Sequence, residues 1–294
     1  MIIALCNNIK EFNNNNIFDE KTADRFPGSK WAFYLREILS EKFDVVTGDI
    51  ALKMVDSGYD PKDVLVVREL NAAHAKKLVS KGAVPFLLTA FESPLIASLF
   101  YDSLGRIASQ YKFRLLYKGA FHNIKCESGK NINITFPSYS KNTRIKPLKW
   151  MNRSDIVMVV SNKYYLEKTK YYRGIDMKYY AKVKTAELLG KFSNTKKSAS
   201  EAQLYDKRLE AIKFFGNKNN LKFDLFGKGW DALSNLEFDR DLIRTVTRLK
   251  PQSCLDKINT ISNYKFAVCF ENISYEGYVT EKIIDCLVAG VIPI

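Results

Sequence analysis

The sequence predicts an α/β protein built from two domains, each with a mostly parallel sheet covered by helices. Three observations lead there. Apolar, strand-like runs alternate with stretches of helical spacing through the first half of the chain. A basic, turn-rich segment from Ser138 to Lys149 interrupts that alternation, which then resumes, so a boundary is expected near residue 150. A chain of 294 residues is long enough for two ordinary domains, here 1–150 and 151–294.

Taken in order, Ile2–Cys6 is short, apolar and β-branched, which suits a first buried strand. Phe43–Thr47, Asp63–Val67, Val84–Thr89 and Phe113–Tyr117 repeat that character. Lys30–Lys42, Asn71–Lys81 and Pro94–Gln110 between them carry helical spacing. Asn13 to Asn16 reads as a surface loop. Asn131–Phe136 alternates polar and apolar residues and ends at Pro137, the pattern of an edge strand. In the second half Asp155–Val160, Lys222–Phe226, Lys265–Phe270 and Val291–Ile294 read as strands and Glu201–Asn217 as a helix. Ser193 to Ser200 reads as a flexible loop.

Composition narrows the function. The formal net charge is +14, which calls for an anionic partner such as nucleic acid, a membrane surface or a charged substrate. The five cysteines are scattered without CxxC spacing, and there are only two histidines, His74 and His122, so a zinc cluster or a His-based triad has no support. No run approaches the length of a membrane span, and the first residues lack the features of a signal peptide, so a cytoplasmic location is expected.

The densest chemistry lies in Phe270-Glu271-Asn272-Ile273-Ser274-Tyr275-Glu276-Gly277-Tyr278-Val279-Thr280-Glu281-Lys282. An apolar run ends in a glycine-containing loop. Thr280 can cap the helix that follows, with Ile283, Ile284, Leu287 and Val288 on one face. Gly290 can stop that helix before the next strand. Asn272, Tyr278, Glu281 and Lys282 therefore gather at the carboxyl end of a strand, where α/β sheets bind ligands. A helix start with a lysine in its first turn suits a phosphate. An ordinary βαβ crossover with a decorated loop is the structural alternative.

Phe270-Glu271-Asn272 followed by Gly277-Tyr278-Val279-Thr280-Glu281-Lys282-Ile283 resembles the donor-binding signature of the α1,3/4-fucosyltransferases. The resemblance implies a GT-B architecture, two Rossmann-like domains facing across a cleft, with the acceptor on the first and GDP-fucose on the second. It implies an inverting, metal-independent transfer of L-fucose to a glycan hydroxyl, the 3-position of a GlcNAc-type residue being expected. No cofactor is then needed beyond the GDP-fucose donor. In the family the last strand continues into further elements, so this chain reads as C-terminally incomplete and a poor catalyst.

Phe91-Glu92-Ser93-Pro94 resembles the family segment whose glutamate is the general base. Ser93 and Pro94 read as an N-cap and first helical residue, which leaves Glu92 at the end of a strand. A helix-start acid that merely complements the dipole is the alternative. Lys282 matches the lysine that contacts donor phosphates. Arg208 matches, less closely, an arginine that holds the pyrophosphate, Glu201 being a second alignment; a solvated helix charge is its alternative. Asn272 and Tyr278 can donate to phosphate or sugar oxygens, and Glu281 can accept from a sugar hydroxyl. Glu271 and Gly277 read as structural. Ser161-Asn162-Lys163 resembles a family turn near the donor.

Three other features compete. Asp239-Arg240-Asp241 is a DxD, but it leads into a helical stretch rather than following a strand. Tyr164 to Lys184 interleaves tyrosines with lysines, which suits a packed helix edge, stacking on nucleic acid or a membrane interface. The basic surface is compatible with peripheral membrane contact, and no nucleic-acid partner is expected. The rival functions are a related transferase using another nucleotide sugar, and a basic nucleic-acid- or glycan-binding protein on a degenerate transferase scaffold.

Overall fold

A computed structural model describes residues 1–125, 128–134, 145, 148–162, 194–230 and 240–294. It divides into two units. Unit 1 comprises Met1–Lys141, Ser193–Ala199 and Tyr275–Tyr278; unit 2 comprises Asn142–Phe192, Ser200–Ser274 and Val279–Ile294. The main division thus falls nine residues earlier than the expected one, and two short later segments count with the first unit. The Tyr164–Lys184 insert and Asp239 lie outside the described residues.

Unit 1 is a six-stranded parallel sheet of order β2-β1-β3-β4-β5-β6. Its strands are β1 (Ile2–Cys6), β2 (Asp44–Thr47), β3 (Val64–Glu69), β4 (Val84–Thr89), β5 (Phe113–Leu116) and β6 (Lys130–Asn133). All five residues of β1 are buried, as a central strand covered on both faces requires. Alternation splits them: Ile2, Ala4 and Cys6 enter a core with α3 (Gly48–Asp56) and α4 (Ala73–Ser80), whereas Ile3 and Leu5 join Ala32 of α2 (Lys30–Leu39). A short helix, α1 (Glu20–Arg25), precedes α2. The strand β6 is the sheet edge expected here, but it is shorter than Asn131–Phe136 at its end and its four residues are all exposed; Ile134 beyond it is buried and its N donates to Leu116 O at 2.9 Å. Pro137 lies outside the described residues.

The asparagine run is a surface turn as read, with Asn14 and Asn15 at φ of 55° and 62°, and Asn15 Oδ1 accepts the Thr47 amide at 2.8 Å. It therefore ties the chain to the end of β2. Two readings of this half need correction. The helix expected over Pro94–Gln110 begins only at Ser98 and is split into α5 (Ser98–Asp102) and α6 (Leu104–Ala108). The Ser103 hydroxyl donates to the carbonyls of Leu99 and Phe100, each at 3.0 Å, and this local bonding competes with a continuous helix. The second concerns Ser193 to Ser200, read as a loop but largely helical as α7 (Asn194–Glu201), with Thr195 N bonded to Asp102 at 3.1 Å.

Unit 2 is a four-stranded parallel sheet of order β10-β9-β7-β8. Its strands are β7 (Ser154–Val159), β8 (Phe223–Phe226), β9 (Tyr264–Ala267) and β10 (Ile292–Pro293). The helices are α8 (Tyr205–Gly216), α9 (Arg240–Leu249), α10 (Lys257–Ile261) and α11 (Glu281–Val288). Ile156, Met158, Phe223 and Leu225 form a core with Ile212 of α8 and with Leu242 and Val246 of α9. Each unit is thus the parallel α/β arrangement that the sequence predicts. Among the described residues, no helix is long and apolar enough to cross a membrane.

Candidate functional site

Unit 2 carries a cavity of about 290 Å³ beyond the carboxyl ends of β7 and β9. Arg208, Asn272, Glu281 and Lys282 line it, four of the six residues singled out from the sequence. Ser161, of the weaker Ser161-Asn162-Lys163 reading, is there too. Three cations, Arg208, Lys257 and Lys282, face one carboxylate, Glu281, in this lining.

The loop after β9 is held by backbone pairing that the sequence did not reveal. The helix expected over Glu201–Asn217 breaks at Ala202–Leu204. There Leu204 N donates to Asn272 O at 3.0 Å, and Ser274 N donates to Ala202 O at 2.8 Å. Gln203 and Ile273 form the antiparallel bridge between those bonds. Those three residues leave the helix because their backbone is used by the signature loop.

Arg208 completes this anchoring. It is buried on α8, and its Nη2 donates to the carbonyls of Phe270 and Glu271 at 3.0 and 2.9 Å and to Asn272 Oδ1 at 2.9 Å. It is therefore no solvated helix charge. Lys282 Nζ lies 3.0 Å from Glu271 Oε2 and 2.6 Å from Thr280 Oγ1. Glu271 also accepts the Thr280 amide at 2.8 Å, so this carboxylate braces the start of α11 where a capping hydroxyl was expected. The structural reading of Glu271 agrees with this geometry.

Lys257 was missed. It sits at the start of α10 with no motif around it, and its Nζ lies 2.8 Å from Asp285 Oδ2 on α11. Burial disfavours its charge, but the charge and hydrogen bond of Asp285 outweigh that and raise its pKa. A second error concerns the same helix. The apolar face expected for α11 points outward: Ile283, Leu287 and Val288 are exposed, while Asp285 and Cys286 are buried. Helical spacing identified the element; Ile284 of the expected face is half-buried, and Asp285 pairs with Lys257 on the buried side.

Tyr278 and Glu92 are placed in unit 1. Tyr278 is buried there, its ring edge-on to Tyr117 at 4.9 Å between centroids. Gly277 before it has φ of 76°, and an added Cβ would meet Lys118 N at 3.1 Å. Tyr275 packs edge-on to Tyr101 at 6.1 Å and against Gly119, where an added Cβ would lie 2.9 Å from the Tyr275 ring.

Glu92 is exposed just beyond β4. Ser93-Pro94 does not start a helix. Instead Ser93 O accepts the amides of Ile96 and Ala97, both at 3.0 Å, in a turn. The Tyr101 hydroxyl donates to Glu92 O at 2.9 Å and the Tyr117 hydroxyl to Phe91 O at 3.4 Å, which holds this segment out of the helix. Glu69, at the end of the neighbouring strand β3, was also missed. Burial and then the charge of Glu92 push its carboxyl up to about 7.

Residues 181–294 match the model of a family described as glycosyltransferase family 10 (fucosyltransferase), C-terminal part. The resemblance read in the signature is to a glycosyltransferase family 10 domain. The matched residues include the part of the cavity lining from Arg208 to Cys286 and leave out Met158 to Ser161, which also line it, and Glu92. A putative fucosyltransferase-like protein of Arabidopsis thaliana is 48% identical over 40 residues, which cover 14% of this chain and 8% of that protein. The chain thus matches only a small part of that relative's length. A solved structure of an α1,3-fucosyltransferase with GDP covers 100% of this chain and 67% of its own, at 15% identity and a TM-score of 0.41.

Proposed function

We propose that the protein is a fucosyltransferase that moves L-fucose from GDP-fucose to a hydroxyl of a glycan acceptor. One observation carries this reading: a cavity lined by Arg208, Lys257, Lys282 and Glu281 lies at strand carboxyl ends, and these four residues fall in the part of the chain that matches a glycosyltransferase family 10 C-terminal domain. A nucleoside diphosphate suits cationic side chains and a helix start at that position, with Glu271 and Asp285 holding Lys282 and Lys257 in place.

Departure of GDP leaves negative charge on the diphosphate, and Arg208, Lys257 and Lys282 are assigned to stabilise it. Lys282 suits this because Glu271 and Thr280 fix its ammonium before any ligand arrives, so little reorganisation is needed. Asn272 and Tyr278 are assigned as donors to phosphate or sugar oxygens, and Glu281 as an acceptor from a sugar hydroxyl. Glu92 is assigned to take the acceptor proton as the sugar carbon is attacked from the face opposite GDP, with inversion. The cations come from the chain, so the transfer is taken to need no metal; the 3-position of a GlcNAc-type residue is the expected acceptor site. A cytoplasmic location with peripheral membrane contact belongs to the same proposal, supported by the net charge of +14.

Calorimetry with GDP, GDP-fucose and UDP tests the donor. Binding of the first two and not of UDP is expected; equal binding of UDP, or none of GDP, would overturn the reading. Transfer assayed with and without EDTA tests the metal, and activity lost to EDTA and restored by Mn²⁺ would count against it.

A further inference from the structure

Unit 2 presents a second surface at the end of its sheet away from the cavity. Bonds between neighbouring chains gather the strand starts there. Ile156 N donates to Lys222 O and Ser154 N to Asn263 O, both at 3.0 Å, and Asp155 accepts the Lys222 amide at 3.1 Å. Two segments meet at these amino ends: residues 148–153 run into β7, and residues 214–222 run from α8 into β8. Each shows apolar side chains to solvent. Met151 is 86% exposed, Leu148 and Trp150 are exposed beside it, and Phe214 and Leu221 are exposed on the other segment.

The same two segments hold four cations, Lys149, Arg153, Lys218 and Lys222, and no acid. Arg248 of α9 joins them, its Nη2 donating to Asn217 Oδ1 at 2.9 Å. A cation sits beside each exposed ring: Arg153 lies 5.8 Å from the Trp150 ring centre and Lys218 lies 4.6 Å from that of Phe214. The carboxylates at these strand starts are engaged within the protein. Asp155 holds Lys265 at 3.0 Å, and Asp224 accepts the Tyr264 hydroxyl at 2.9 Å. The face is therefore both cationic and apolar.

That combination selects the partner. A nucleic acid offers phosphates to the cations but no apolar phase to Met151, Leu148 and Leu221. The interface of a bilayer offers both, anionic headgroups for the cations and acyl chains for the apolar groups, and it suits rings that carry a cation beside them. We propose that this amino-end face of unit 2 docks on an anionic lipid surface, with Trp150, Met151 and Phe214 entering the interface and Lys149, Lys218 and Lys222 meeting the headgroups. The inference rests on the peripheral membrane contact proposed above and gives that contact a place. Docked in this way, the cavity at the carboxyl ends of the same sheet is turned away from the lipid.

The test floats the whole chain with vesicles of phosphatidylcholine alone, or of equal parts phosphatidylcholine and phosphatidylglycerol. The wild type should rise with the mixed vesicles only. Each cation near an anionic surface is worth about fivefold in binding, so Lys149→Glu combined with Lys218→Glu should weaken it by roughly 20-fold or more. Met151→Asp should weaken it as well, through the apolar contact. Lys76→Glu combined with Lys77→Glu in unit 1 alters the net charge equally and should leave binding within about twofold, because salt screens charges off the face. All of these residues are exposed, and unchanged thermal unfolding by circular dichroism shows that each variant folds. If the face variants float like the wild type, the proposal falls and the membrane contact stands. If the wild type does not float at all, both fall. Wild-type binding to a single-stranded oligonucleotide that exceeds binding to the mixed vesicles, and is lost in the same variants, would overturn the proposal in favour of nucleic acid.

Discussion

The two units present opposite chemistry at the carboxyl ends of similar parallel sheets. In unit 1 the strand ends gather Glu69, Glu92 and the hydroxyls of Tyr101 and Tyr117. In unit 2 they gather Arg208, Lys257 and Lys282. The first set can accept a proton and the second can hold an anion. The difference teaches that the fold decides where side chains converge, while the residues beyond each strand decide what they do.

The sharpest way to break this comparison is Arg208→Ala. It removes three hydrogen bonds from a buried charge and leaves two carbonyls and an amide oxygen of the signature loop without that partner. A loss of about 3 kcal/mol is expected, confined to unit 2. Denaturant titration with hydrogen exchange should show the Leu204 and Ser274 amides losing protection while those of β1 keep it. Equal loss in β1 would show that the units are not separate in stability.

Glu92→Gln should separate the two chemistries next. Glutamine keeps the size but cannot take a proton, so transfer should fall by roughly 100-fold. GDP affinity should stay as it was, because the assigned cations belong to unit 2. Near-normal transfer would mean that another group is the base. Lys282→Ala should do the reverse to binding. A charge-assisted contact is worth about 1.5–3 kcal/mol, so GDP affinity should drop roughly tenfold or more by calorimetry. Unchanged affinity in a folded variant would remove Lys282 from the donor site.

The smallest effect concerns Glu69. Its folded pKa of about 7 stands above the ordinary 4.5, so the folded state binds this proton more tightly. Stability from this group is complete below about pH 4.5 and is lost as pH rises through about 7. Glu69→Gln carries no such loss. It should match the wild type at pH 4.5 and exceed it by about 1–2 kcal/mol at pH 8 in urea titrations. No gain at pH 8 would mean that unit 1 does not hold a strained acid.

These contrasts also show what the sequence made legible. Ile2–Cys6 and Val84–Thr89 were readable to the residue, whereas Lys265–Phe270 and Val291–Ile294 are strands only over Tyr264–Ala267 and Ile292–Pro293, because an apolar run does not mark where strand pairing stops. The cations at Arg208 and Lys282 were readable because their motif is local. The pairing of Ala202–Leu204 with Asn272–Ser274 was not, since backbone bonds between distant segments leave no side-chain pattern. Lys257 escaped for the same reason: its partner Asp285 is a distant residue in an apolar helix. The buried face of α11 was misread because hydrophobic spacing alone would put Ile283 and Leu287 inside, whereas Asp285 and Cys286 are the buried residues. Cys6, Cys269 and Cys286 read as reduced core thiols from their apolar surroundings; Cys6 and Cys286 are buried and Cys269 is half-buried.

The allocation of Tyr275–Tyr278 to unit 1 bears on how the chain matures on the ribosome. The six strands of that sheet have all been synthesised by residue 133, yet the ring that packs on Gly119 and Tyr101 has not. It emerges on the order of ten seconds or more later at ordinary translation rates. A nascent first unit therefore waits with that face open, and its last contacts form only after the strands and most of the helices described for the second unit have been made.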